Sequence, residues 1–162
     1  MQEVRLYSMN VISSMKTIRF SLVTPERKLM EEDIVQITLP LESGEVTILP
    51  DHIPLIAMVM PGEIMLKTAS GKTEFLAISG GFVEFRNNVF SLLADAAERA
   101  DEIDLERAIA AEVRARELRE KKADMSVDEQ ATMIAALERA GAWSRVARKH
   151  RSHRGILSES KE

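Results

Sequence analysis

Near Arg99 the spacing of apolar residues changes, and the change divides the chain into two parts that cannot share one architecture. From Thr17 to about Asp95 the apolar residues recur at short range between turn residues, as consecutive strands require. Ile18, Phe20 and Leu22 alternate with Arg19 and Ser21, and Val35, Ile37 and Leu39 alternate with Gln36 and Thr38. Val46 and Ile48 continue the pattern beyond a Ser43-Gly44 turn. Short β-suited segments follow at 64–67, 75–78, 82–85 and 89–93, separated by Pro61-Gly62, Ser70-Gly71 and Asn87-Asn88. Pro61-Gly62 fits a type II turn with Gly62 at positive φ. This spacing predicts an antiparallel β-sandwich over residues 15–98.

Beyond Arg99 glycine and proline nearly vanish, Ala, Glu and Arg dominate, and the apolar period lengthens to that of a helix. Asp101, Glu102 and Asp104 supply the negative charge that a helix start favours, and Leu105, Ile109 and Val113 form a stripe behind them. After a break at Ala123-Asp124-Met125, Ser126 and Glu129 make a capping box, and Val127, Ala131, Ile134 and Leu137 form a second stripe. Two amphipathic helices joined by so short a break predict an antiparallel two-helix hairpin over 99–150 with a thin, alanine-rich contact. Residues 1–14 join neither pattern and are expected to form a disordered extension, and residues 151–162 a flexible basic tail.

The residues offer little to catalysis. Ser79-Gly80-Gly81 lacks the frame of a nucleophile turn and precedes a β-like run, so a strand bulge is the expected reading. No phosphate-cradling glycine loop and no paired-histidine zinc motif occurs, and the absence of cysteine removes thiolate chemistry. A net charge of -4 gives no basic field for nucleic acid, and no apolar run approaches a membrane span. The residues therefore favour a binding or interaction module that stays in the cytoplasm, with neither catalytic nor metal-ligating residues.

Three stretches resemble the epsilon subunit of bacterial F-type ATP synthases. The first runs Ser43-Gly44-Glu45-Val46-Thr47-Ile48-Leu49-Pro50-Asp51-His52-Ile53-Pro54-Leu55, followed by Pro61-Gly62; the second is Phe75 to Phe82 with Leu93-Ala94-Asp95; the third is Ile103-Asp104-Leu105-Glu106-Arg107-Ala108. Together they cover roughly Met15 to His150 in the family's domain order. The resemblance implies a non-catalytic rotor subunit of the central stalk, peripheral to the cytoplasmic face of the bacterial inner membrane. Its sandwich would lie against the gamma subunit and the c-ring, and its hairpin would restrain ATP hydrolysis in the alpha/beta catalytic head. Thr47 departs from the glycine usual in the family and is expected to alter the local turn.

The same resemblance implies roles for single residues. Glu45 and His52 fall at positions that face gamma and the c-ring, although read alone they are a solvated turn charge and a packed or capping loop imidazole. Arg145, Arg148 and Lys149, with Arg151 and Arg154, form a basic cluster suited to the catalytic beta subunit, or simply to a helix end. Glu98, Asp104, Arg107 and Arg139 match positions at which some members hold regulatory ATP, while Trp143 stands where a further arginine is usual. Read alone, Asp104 and Arg107 are an acidic first turn and an i, i+3 pair. Two further readings fit the residues: a free-standing sandwich-and-hairpin adaptor, and an ATP-sensing module.

Overall fold

The computed structural model describes residues 16–121 and 126–159, with side chains described for 16–120 and 126–150. The extension expected at 1–14, the break at 123–125 and the side chains of Arg151 and Arg154 lie outside the described residues. Among the described residues nine strands form: β1 (Ile18–Val23), β2 (Lys28–Leu41), β3 (Gly44–Ile48), β4 (Leu55–Val59), β5 (Gly62–Thr68), β6 (Thr73–Ile78), β7 (Gly81–Arg86), β8 (Val89–Ala94) and β9 (Ala97–Arg99). Two helices follow, α1 (Leu105–Lys121) and α2 (Val127–Glu159).

The long strand β2 is shared by both layers. Its first half pairs with β1, Ile34 opposite Ile18, and its second half pairs with β3 and β5. One layer runs β1-β8-β7-β4 and returns to β2 where Leu41 faces Val59; the other runs β2-β5-β6-β9 with β3 added on β2. Pairing is antiparallel except between β1 and β8, which are parallel. The register between β2 and β5 slips between Ile34 and Gln36, a bulge that bends the shared strand. It also breaks the alternation expected from Val35: Ile34 is fully buried, Val35 only partly.

Between the layers lies a core built on the predicted period of two, with Ile18, Phe20 and Leu22 on β1, Ile64 and Leu66 on β5, and Phe90 and Leu92 on β8. Phe90 anchors it, its ring centroid 5.7 Å from that of Phe20 and 6.2 Å from that of Phe85. Burying each such side chain stabilises the fold by about 1.5–3 kcal/mol. The β7–β8 connection is the Asn87-Asn88 pair at φ 52° and 59°, values that a tight two-residue hairpin needs and asparagine tolerates.

Three local expectations are corrected. Gly62 does not adopt positive φ; it opens β5, and glycine is needed because a Cβ there would stand 3.0 Å from Cγ of Pro40. Ser79-Gly80 is not a bulge within a strand but the link that carries the chain from β6 in one layer to β7 in the other. Thr47 lies within β3 instead of a turn, opposite Thr38, and the two hydroxyls are 2.8 Å apart.

The helices pack against each other and α2 also against β5 and β6. Asp104 caps α1, its carboxylate accepting the Arg107 N–H at 3.1 Å. Ser126 and Glu129 form the expected capping box on α2, with the Glu129 N–H donated to Ser126 Oγ and the Ser126 N–H to Glu129 Oε2. The stripes are rotated from those expected. Val127 is 82% and Ile134 52% exposed, and Val113 is also exposed, whereas Ala108, Gly141, Ala142, Ser144 and Ala147 are buried. Small residues are buried where the backbones approach, while Leu105, Ile109 and Leu137 of the expected stripes are half-buried and Val146 is the large apolar residue buried against the sandwich. The helix α2 continues to Glu159, through backbone expected to be a tail after residue 150.

Candidate functional site

The docking of α2 on the sandwich follows one row of the strand register. Glu63 on β5 faces Ala77 on β6, and Ala77 faces Glu98 on β9. Trp143, Val146 and His150, spaced three and four apart on one face of α2, meet that row in order. The Trp143 indole N–H is donated to Glu98 Oε2 at 2.6 Å, Val146 packs in a cluster with Ala77, Ala100, Phe75 and Ile103, and His150 Nε2 lies 3.5 Å from Glu63 Oε2. Lys149 Nζ donates to the other oxygen of Glu63 at 2.6 Å, and the His150 ring rests 4.0 Å from that of Phe75. The contact is thus two carboxylate anchors around a small apolar centre. Composition identifies none of this, since Glu63 has no partner within its own segment.

On the side of the hairpin facing Trp143 the two helices enclose a cleft of about 1070 Å³. The four residues matched to nucleotide contacts, Glu98, Asp104, Arg107 and Arg139, all line it, together with Trp143 and an apolar floor of Ala108, Ala111 and Ala136. Three of the four are already engaged within the chain. Asp104 caps its helix, and Glu98 holds the indole of Trp143, over which Arg139 places its guanidinium 5.5 Å from the ring centroid.

The basic residues divide. Lys149 is engaged by Glu63, while Arg145 and Arg148 are exposed beside Glu112 of α1. Glu112 accepts the buried Ser144 hydroxyl across the hairpin and pairs with Arg116 at 2.7 Å. The Ser144 hydrogen bond holds the Glu112 carboxyl below the usual carboxylate range against the opposing effect of burial, with Arg116, Arg148 and Arg145 adding to the depression.

Glu45 and His52 do not converge. Glu45 is exposed on β3 opposite Pro40. His52 lies in the loop before β4, its Nδ1 2.8 Å from the Ile53 carbonyl oxygen and its ring edge-on to Phe85 at 6.0 Å. Neighbouring Asp51, at φ 65°, is bound by Asn88 and Lys16, and the Lys16 hydrogen bond, then that of Asn88, lowers its carboxyl from the ordinary value.

The outer face of the first layer carries an apolar row that sequence patterning missed. Met58 on β4, Phe82 on β7 and Leu93 on β8 are cross-strand partners, exposed by 58%, 55% and 61%. Ile56, also on the outside of β4, extends the patch. The signal was present in Phe82-Val83 and Leu92-Leu93, where apolar residues fall on both faces of a strand. Among the described residues no group of three or more His, Asp or Glu side chains is placed to hold a metal, and no helix is long and apolar enough to cross a membrane.

The family described as ATP synthase, Delta/Epsilon chain, beta-sandwich domain matches residues 17–100. The ATP synthase epsilon chain of Bacillus velezensis is 44% identical over 110 residues, covering 68% of this chain and 83% of the relative. That of Pelotomaculum thermopropionicum is 47% identical over 107 residues, 66% of this chain and 79% of the relative. Among solved structures, a chain of the Euglena gracilis mitochondrial ATP synthase assembly of OSCP, F1 and c-ring superposes with a TM-score of 0.64 at 27% identity, over 75% of this chain and 76% of that one. A chain of the Tetrahymena thermophila mitochondrial ATP synthase central stalk and c-ring shares the fold, with a TM-score of 0.56 at 12% identity over 82% and 97%. Sandwich, hairpin order and sequence agree: the chain belongs to the ATP synthase delta/epsilon family, as an epsilon subunit of the bacterial F-type enzyme, a non-catalytic member of that complex.

Proposed function

We propose that the sandwich joins gamma to the c-ring in the central stalk and that the hairpin restrains ATP hydrolysis by leaving the sandwich for the catalytic head. The observation that carries the second half is the thinness of the docking contact beside the apolar surface the hairpin leaves outside. Its apolar part is a small cluster, Val146 on Ala77 with Ala100, Phe75, Ile103 and Trp143 around it, and ion pairs with an exposed partner such as Lys149–Glu63 are worth about 0–1 kcal/mol, so docked and released states differ by only a few kcal/mol. Val113, Leu118, Val127 and Ile134 then offer an apolar face to a new partner once the hairpin extends. Arg145 and Arg148 remain available to an acidic surface of the beta subunit. The sandwich reading is supported by the Met58-Phe82-Leu93 row, with Glu45 and His52 as polar contacts at its margins. On this reading the protein sits peripherally on the cytoplasmic face of the bacterial inner membrane, through the complex, and membership of the epsilon family supports it.

The test is removal of the residues after Arg99 in the assembled enzyme. Assembly is expected to survive and ATP hydrolysis to rise; unchanged hydrolysis overturns the restraint reading. A free-standing adaptor instead predicts a pool that does not co-purify with alpha, beta, gamma and c chains. A second reading, ATP as a regulatory ligand, is favoured by the convergence of Glu98, Asp104, Arg107 and Arg139 on one cleft. It predicts a saturable change in Trp143 fluorescence on titration with ATP, and no change up to about millimolar ATP excludes it.

A further inference from the structure

We infer that Trp143 is a latch that holds the hairpin on the sandwich with no ligand bound. This rests on the reading of the hairpin as a movable element. The indole N–H can only donate, and it donates to a carboxylate, Glu98, at 2.6 Å across 45 residues of sequence, from a half-buried position. Charge-assisted bonds of this kind are roughly twice as strong as neutral ones. Arg139, one turn earlier on α2, stands 5.5 Å from the indole centroid, so the ring is held between a guanidinium on its own helix and a carboxylate on β9. Glu98 in turn ends the row that runs through Ala77 to Glu63, which puts the latch at the opposite side of the small apolar centre from the Lys149 and His150 anchor. Of the two ends, the one at Glu63 combines a Lys149 that is 57% exposed, whose screened pairing adds little, with a His150 that packs on Phe75. The end at Trp143 rests on one directional hydrogen bond from a ring to a carboxylate. Because Glu98 and Arg139 both line the interhelical cleft, the side chain of Trp143 engages from within the chain two of the charged groups that face it.

The chain contains no cysteine and one tryptophan, which permits a direct test on the full-length protein without nucleotide. Labels at Glu42→Cys on the sandwich and Ala131→Cys on α2, both exposed and outside the docking contact, report the docked-to-released ratio by interlabel distance through a urea titration. Trp143→Phe, which keeps a ring but loses the donor, and Glu98→Ala are each expected to shift that ratio toward release by about tenfold. The double variant is expected to go no further than either single one, since both remove the same bond. The later transition of the sandwich serves as the folding control, because Trp143 is not part of its core. An unchanged ratio in Trp143→Phe, or effects that simply add, overturns the latch. If the ratio shifts but hydrolysis by complexes carrying Trp143→Phe does not, the latch stands and the restraint of hydrolysis by the hairpin falls.

Discussion

At Gly81 a Cβ would lie 2.1 Å from the Leu93 carbonyl oxygen and 2.9 Å from Cα of Ala94, and the residue holds φ at +147°, so both space and backbone refuse a side chain where the layers are joined. Gly81→Ala is expected to cost about 3 kcal/mol or more, read as a fall in the midpoint of thermal unfolding. Gly62→Ala meets only Pro40 Cγ at 3.0 Å, without a φ penalty, and should cost about 1 kcal/mol, measured in the same way. At Asp104 the reading from the residues alone, negative charge at a helix start, is the one the geometry bears out, since the carboxylate caps α1. Asp104→Asn keeps a capping oxygen, so it should preserve amide protection in the first turn of α1, whereas Asp104→Ala should lose about 1 kcal/mol there; hydrogen exchange separates the two. Glu112 carries a pH signature. Its carboxyl is held below the ordinary value in the folded state by Ser144, so its contribution is complete above the unfolded value near pH 4.3 and disappears as pH falls through the lower folded one. Ser144→Ala should therefore destabilise the hairpin by about 1–2 kcal/mol at neutral pH, with the difference from the parent chain narrowing below about pH 4 in a urea titration of helicity.

At the scale of elements the sandwich was readable because one face of each strand is buried, which imposes a period of two on Ile18-Phe20-Leu22 and on Ile64-Leu66. The strands that escaped notice break that condition. β4, Leu-Ile-Ala-Met-Val, is apolar on both faces, and β9 is three half-buried residues at an edge. The first half of β2 is dominated by Glu31 and Asp33 on exposed positions, with half-buried Glu32 between them. Helix ends were equally legible, since the Ser126–Glu129 capping box is a local code of four residues. Helix faces were legible only in part. The alanine-rich composition pointed to a thin contact of small residues, and Ala108, Ala142 and Ser144 are indeed buried, but periodicity marks large apolar residues and so put Val127 and Ile134 on a face that is exposed. The candidate cleft had a similar fate: its residues were named from resemblance, and their convergence required the antiparallel pairing that brings Asp104 and Arg107 beside Arg139 and Trp143.

For the whole molecule, the two exposed apolar surfaces belong to different events. On the proposed function the hairpin's outward residues come into use on release, whereas Met58, Phe82 and Leu93 lie on the sandwich itself, on the layer formed by β1, β8, β7 and β4 and away from the β5 and β6 strands that carry α2. On that reading a rotor subunit whose hairpin moves needs an attachment that does not move with it, and this row suits the role because it lies outside the contact with α2. Apolar residues at the centre of an interface contribute most of its energy, while charges at its margin contribute little. Phe82→Ser is therefore expected to weaken retention of the subunit in the purified complex by about tenfold or more, and Glu45→Ala by less, when both are followed by release of the chain on dilution. Phe82 points out of the core, so Phe82→Ser should leave the unfolding midpoint of the isolated chain nearly unchanged. Retention equal to that of the parent chain would remove the row from the attachment and return Glu45 and His52 to the centre of it.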